Sequence, residues 1–340
     1  MLLAIYIGVI IISGLIVWKG GELLETSSEA LARHYNLPPV VEGSIIMALG
    51  SSFPELSTTV VSTLIHGKFD LGISAVIGSA IFNILVIPGL SVIFGGKIKS
   101  DRILVYKDAQ FYITSVAVLL LAFSMAVIYN PVVSEETKGI MSRPIALLPV
   151  MLYMLYIFLQ TQETRDYNKK REKNTPHKNI KKQWFVLFVS LVLILVSVEG
   201  LVRSAIFMGD YFDTPSFYWG ITIIAGATSV PDAVVSIRSA INKRGIVSIS
   251  NVLGSNIFDL LIAVPAGVLI AGSTVINFSA IIPLMIFLTF STILLFAFMR
   301  TSLTLQKAEA WILLCCYFVF IAWMVLEAMG YIGFMAQNMN

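Results

Sequence analysis

The sequence predicts an all-α polytopic membrane protein of ten transmembrane helices, arranged as two inverted five-helix repeats with helices broken near the membrane midplane. Three observations predict it. Hydrophobic residues make up 57% of the 340 and charged residues 13%, against roughly 45–50% and 25% in soluble domains, so the apolar excess must face lipid. Dividing the chain by roughly 30 to 34 residues per span and connection allows about ten helices across a ~30 Å hydrocarbon core. Two polar blocks also occur twice, in the same order and at a nearly constant separation. The small net charge of +3 and the two cysteines exclude a nucleic-acid binder and a disulfide scaffold, and the composition excludes a soluble enzyme.

The apolar runs, separated by polar clusters, set the spans in order. The first covers residues 2–31, opening on MLLAIYIGVIIISGLIVW; it lacks a basic start and a small-residue cleavage site, so it reads as a span rather than a signal peptide. The next four fall at 38–65, 70–94, 103–128 and 143–163. The second set falls at 184–208, 215–241, 246–271, 276–299 and 308–329. None of these runs alternates like a barrel strand, so no strands are expected. Cys315 and Cys316 are adjacent inside the last run and read as packing residues.

Basic residues orient the chain. With the N-terminus outside, seventeen of the 23 lysines and arginines fall in inward loops, and only Lys68, Lys138 and Arg143 in outward ones. This bias places both termini outside the cell and residues 164–183 in the cytosol. That basic segment, TRDYNKKREKNTPHKNIKKQ, is the one composition shift in the chain. It divides a first five-helix repeat (1–163) from a second (184–340). An odd number of spans per half inverts one half relative to the other, a plan common in secondary transporters.

The halves align directly. GSIIMALGSSFPELSTTVVS from Gly43 lies over GITIIAGATSVPDAVVSIRS from Gly220 at an offset of 177, and VIGSAIFNIL from Val76 lies over VLGSNIFDLL from Val252 at 176. Glu55 thereby meets Asp232, Pro54 meets Pro231, Ser79 meets Ser255 and Asn83 meets Asp259. A carboxylate in hydrocarbon costs at least ~2.5–3.5 kcal/mol. Glu55, Asp232 and Asp259 therefore need compensation, and the blocks contain no basic residue except Arg238. A bound cation supplies it.

Pro54 and Pro231 suit the first turn of a new half-helix. Ser51, Ser52, Thr228 and Ser229 are expected to cap those half-helices, leaving free carbonyls around Met47 to Leu49 and Ile224 to Gly226. Helical spacing places Glu55, Thr59 and Ser62 on one face, Asp232, Ser236 and Ser239 on another, and groups Ser79 with Asn83 and Asn251 with Ser255 and Asp259. Gly50, Gly78, Gly220, Gly226 and Gly254, with Gly43, are expected to permit close helix approach. Hard oxygen donors without histidine or cysteine disfavour zinc, copper and iron. Calcium, which accepts about 6–8 oxygens in flexible geometry, fits better than magnesium. Three carboxylates also suit several monovalent ions in competition with one calcium.

These four blocks resemble the two alpha-repeats of the calcium/cation antiporter superfamily, specifically the sodium/calcium exchangers. The resemblance implies calcium export driven by sodium through alternating access in the cytoplasmic membrane, with sliding of the first and sixth spans. It implies no enzyme activity, no prosthetic group and no obligate protein partner; calcium and sodium are the transported ions. Glu55 and Asp232 match the family's central calcium-ligating acids, and the Ala48 and Ala225 carbonyls its backbone ligands. Ser51, Ser52, Thr228, Ser229, Ser79 and Ser255 match positions that help bind sodium, and Asn83 and Asp259 the pair that closes the middle of the site. Asp259, with the GSAIFNIL and SVPDA strings, is shared with the potassium-dependent branch, which makes potassium-dependent exchange one alternative. Proton/calcium antiport is the other, although its members usually lack a Pro before the Glu.

Overall fold

The computed structural model describes residues 1–35, 48–99, 107–133, 135–167, 179–301 and 303–335. Its helices are α1 (Leu2–His34), α2 (Ala48–Ser51), α3 (Phe53–Leu64), α4 (Phe69–Gly95), α5 (Ala109–Tyr129), α6 (Arg143–Tyr167) and α7 (Ile180–Phe212). Then come α8 (Ser216–Trp219), α9 (Ala225–Thr228), α10 (Val230–Ile241), α11 (Gly245–Phe258), α12 (Val264–Ala271), α13 (Phe278–Arg300) and α14 (Lys307–Ala328). Wide π turns, Gly220–Ile224 and Asp259–Ala263, join α8 to α9 and α11 to α12.

Among the described residues, 8 helices are long and apolar enough to cross a membrane, or 9 when the bent pair Ser216–Thr228 and Val230–Ile241 is taken as one span. Each matches an expected span to within a few residues. Residues 38–47 of the expected span 38–65, including Glu42 and Gly43, lie outside the described residues, as do residues 168–178 of the basic segment. The helices flanking that segment run further than expected, α6 to Tyr167 and α7 from Ile180.

The expectation of no strands is corrected in the connections. Strand β3 (Glu135–Ser142) pairs with β2 (Pro131–Val132) and with β4 (Ser273–Asn277), while β1 (Ile98–Lys99) pairs with β5 (Thr304–Leu305). The β3–β4 register runs from Lys138↔Asn277 to Ser142↔Ser273. Backbone leaving a helix end must still satisfy its N–H and C=O groups, and here segments from the two halves satisfy one another. Gly139 is required for this: a Cβ there would lie 2.6 Å from the backbone of Ala126 and Val127 on α5.

Burial sorts the helices. The most apolar windows of α4 and of the α11–α12 span are 83% and 72% buried, whereas that of α1 is only 11% buried. Helix α4 is the axis of the molecule, in contact with α3, α10, α11, α13 and α14. The long α1 and α7 pack on each other through a separate cluster that includes Val17, Leu24, Ile194, Val198 and Leu201. Gly20 and Gly200 let them approach, since a Cβ at these positions would meet Ile194 at 2.8 Å and Ser13 at 2.7 Å. Cys315 is exposed on α14 and Cys316 only partly buried, so Cys315 is not the packing residue expected.

Candidate metal centre

Both candidate acids enter at the start of a helix. Pro54 and Pro231 lie in the first turns of α3 and α10, where the amide proton they lack has no intrahelical acceptor. The chain turns by 44° between α9 and α10. The break is a kink rather than an unwound stretch, because only Ser229 separates the two helices.

The expected caps do not form. Ser52 and Ser229 occupy the N-cap positions, but neither side chain bonds the helix start. The Ile224 and Ala225 carbonyls, expected to be free, accept hydrogen bonds from the hydroxyls of Thr228 (3.1 Å) and Ser229 (2.7 Å). A hydroxyl four residues downstream reaches a helical carbonyl more readily than an amide across the proline-bearing turn. Ala48 begins α2, Met47 lies outside the described residues, and Ala225 is fully buried at the start of α9.

The remaining predicted residues converge. Glu55, Asp232, Asp259, Asn83, Ser51, Ser52, Ser79, Thr228, Ser229 and Ser255 are all buried, with Glu55 at 1% exposure and Asp232 and Asp259 at 0%. Ser79 donates to Glu55 Oε1 at 3.0 Å and lies 2.7 Å from the Ser229 hydroxyl. Ser255 donates to Asp232 Oδ1 at 2.9 Å and lies 3.1 Å from the Ser51 hydroxyl, while the Ser52 hydroxyl donates to the Ser255 carbonyl at 3.5 Å. Each serine thus holds the acid of its own half and lies beside a hydroxyl of the other. Asn83 crosses directly, donating from Nδ2 to Asp232 Oδ2 at 3.0 Å. Asp232 and Glu55 are electrostatic neighbours, and both act on Asp259.

No Lys, Arg or His among the described residues pairs with these three acids. Arg238 turns to Glu22 at 3.6 Å, and Lys19 lies 2.6 Å from the same carboxylate. Glu199 pairs with His66 at 2.9 Å and with Arg203 at 2.5 Å. Among the described residues, Glu55 Oε2, Asn83 Oδ1 and both Asp259 oxygens are sealed from solvent with no donor in hydrogen-bonding geometry. Sealed acceptors of this kind call for an ion or water. Among the described residues no three acidic, histidine or cysteine side chains close on one point. A cation here would need hydroxyl, amide and carbonyl oxygens as well as carboxylates, the hard donor set that suits calcium and sodium.

Some expected members fall outside this cluster. Thr59 and Ser62 bond the carbonyls of Glu55 and Thr59 within their own helix, at 3.3 and 3.2 Å. Asn251 donates to Ser236 at 3.1 Å, and Ser239 lines a cavity beside Arg238. Gly78 and Gly220 do bring α4 against the π turn; a Cβ at Gly78 would lie 2.5 Å from the Ile221 carbonyl. At Gly226 and Gly254 a Cβ would meet nothing within 4 Å among the described residues. Sequence reasoning also missed Asn256, which accepts from Asn83, and Tyr112, whose hydroxyl accepts from Asn256. The alignment of the halves hides Asn256, whose counterpart is Ala80, and Tyr112 lies on α5 outside both blocks.

Two cavities flank the centre. One of about 710 Å³ is lined by Lys68, Asp70, Lys138, Asp210 and Asp213, and one of about 270 Å³ by Glu22, Glu25, Glu29, Pro231 and Arg238. Glu55, Asp232 and Asp259 line neither cavity.

A family model described as sodium/calcium exchanger protein matches residues 5–162 and 182–326. An uncharacterized membrane protein of Methanocaldococcus jannaschii is 26% identical over 321 residues, which span 94% of this chain and 98% of that protein. The sodium/calcium exchanger MaX1 of Methanosarcina acetivorans is 23% identical over 339 residues, 89% of this chain and 93% of its own. The structure of the sodium-calcium exchanger NCX_Mj soaked with 10 mM Na+ and zero Ca2+ superposes with a TM-score of 0.63 at 24% identity, covering 94% of this chain and 99% of that one. This last likeness is one of fold.

Proposed function

The chain belongs to the sodium/calcium exchanger protein family, and from that premise we propose that it is a sodium/calcium antiporter exporting calcium from the cytoplasm in exchange for sodium. One observation carries the reading: three buried carboxylates without a basic partner among the described residues, two of them, Glu55 and Asp232, held by serines and an asparagine from both halves of the chain. In hydrocarbon such a cluster is retained only if a cation completes it. Glu55 and Asp232 ligate calcium with the Ala48 and Ala225 carbonyls, while Ser51, Ser52, Ser79, Thr228, Ser229 and Ser255 complete sodium sites. Asn83 and Asp259 close the middle. Three ionised carboxylates outweigh one calcium but can be balanced by several sodium ions, so the two cargoes displace one another.

In this reading the chain comprises an inverted pair of five-helix repeats, 1–163 and 184–340, joined by a cytosolic segment 164–183, in a ten-span plan with both termini outside. The matched bonds of Ser79 to Glu55 and Ser255 to Asp232 support the duplication. Access alternates between the 710 Å³ cavity, on the outer side in this orientation, and the 270 Å³ cavity on the inner side. The extensive packing of α1 on α7 supports their moving together relative to the centre.

Calcium uptake into proteoliposomes under imposed sodium, potassium or proton gradients tests the reading. Uptake should follow the sodium gradient. A flux insensitive to sodium overturns it, and a requirement for potassium would favour the potassium-dependent alternative, which rests on Asp259.

A further inference from the structure

We infer that Asn256 and Tyr112 form a positioning relay that holds the Asn83 side-chain oxygen toward the transported cation and thereby sets calcium affinity. The inference rests on the exchange reading above but concerns two residues outside the ligand set. Every group in the relay is buried at 0% exposure, so each amide orientation must be settled by its neighbours. They leave one solution.

The relay starts at a backbone carbonyl, which can only accept. Asn256 Nδ2 donates to the Ala80 carbonyl at 3.1 Å and, with its second proton, to the Tyr112 hydroxyl at 3.1 Å. Asn256 must therefore turn Oδ1 the other way, where it accepts from Asn83 Nδ2 at 3.0 Å. The second Asn83 proton goes to Asp232 Oδ2 at 3.0 Å. Both amide protons are then spent, and Asn83 Oδ1 is left buried without a donor. A flipped Asn83 would set its oxygen against two acceptors. Ala80 anchors one end of the chain, Tyr112 carries it to α5 beside Thr292, and a free, neutral oxygen emerges at the other.

The relay also marks where the two halves part. Ala80 and Asn256 occupy equivalent positions at the offset of 176, as do Asn83 and Asp259. Where one half carries a carboxylate, the other carries an amide whose polarity must be imposed from outside, and the residue that imposes it is the other departure of this block that involves a polar side chain. An amide free to rotate would present its N–H protons to a cation half of the time; a fixed one always presents oxygen.

The test is a double-mutant cycle read by calcium titration calorimetry on the purified full-length protein, with sodium-driven calcium flux in parallel. Asn256→Ala should weaken calcium binding about tenfold and Tyr112→Phe about threefold, the range expected for buried polar groups losing a partner. In an Asn83→Ala background neither substitution should weaken binding further, because residues acting through one group are non-additive. A structural role would instead lower affinity equally in both backgrounds, and that result overturns the relay, as does unchanged affinity in both single variants. Tyr112→Phe keeps the ring and its packing, so its cycle with Asn83→Ala decides the matter if Asn256→Ala does not fold. A wild-type protein that binds no calcium overturns the exchange reading and the relay together; wild-type binding with additive variants overturns the relay alone.

Discussion

Glu55 and Asp232 each take a hydrogen bond from a serine on the next long helix of their own half, at 3.0 and 2.9 Å. Neither has a basic partner among the described residues, so a charge on either is held only by dipoles, an unfavourable state unless a cation or a proton neutralises it. Glu55→Gln and Asp232→Asn remove that charge at nearly constant shape. Both should abolish calcium exchange while leaving thermal stability in ion-free buffer equal to or above wild type. Wild type should also gain about 2.7 kcal/mol of stability at calcium one hundred times its Kd, and either variant should lose that gain; thermal melts with and without calcium check both. The acids were legible because a carboxylate in an apolar run is costly wherever it sits, and the serines and Asn83 because they fall at matching positions of the two repeated blocks beside those acids. Asn256 and Tyr112 were not, because a neutral polar residue in a helix is unremarkable until its partners are known.

At the scale of elements, repetition and spacing predicted the kinks at Pro54 and Pro231 but not what the flanking hydroxyls do. They bond backwards to carbonyls or across to the other half, instead of capping. Glycine was read too generously. At Gly220 a Cβ would lie 2.3 Å from the Ser74 hydroxyl and 2.8 Å from the Leu71 carbonyl, whereas at Gly226 it would meet nothing within 4 Å among the described residues. Gly220→Ala should therefore force α4 off the π turn and destabilise by roughly 1–3 kcal/mol, while Gly226→Ala should leave stability unchanged. Thermal denaturation in detergent distinguishes them; equal losses would contradict the packing described. The short strands escaped notice because β3 and β4 are polar connections more than a hundred residues apart, and only their meeting makes them strands.

For the whole molecule, the distribution of basic residues predicts residues 164–183 inside and the loop carrying Lys68 outside. In a Cys315→Ala, Cys316→Ala background, Lys182→Cys should react with an impermeant maleimide only from the cytoplasmic face, and Lys68→Cys only from the outer face. Labelling of both from one side would refute the inverted arrangement. The same orientation assigns the cavity around Glu22, Glu25 and Arg238 to the cytoplasm.

What the sequence determined by itself was whatever follows from local composition: membrane-length helices, the basic segment between halves, the duplicated blocks, and the acids that a hydrocarbon setting makes expensive. Those properties need no knowledge of neighbours. Only the tertiary structure decided which hydroxyl meets which acid, which glycines are in contact and which way the Asn83 amide points. The partners concerned lie far apart along the chain, 204 residues for Ser51 and Ser255 and 149 for Asn83 and Asp232. Hydrogen bonds reach about 3 Å, so their pairing is set by how the helices pack and cannot be read from spacing alone.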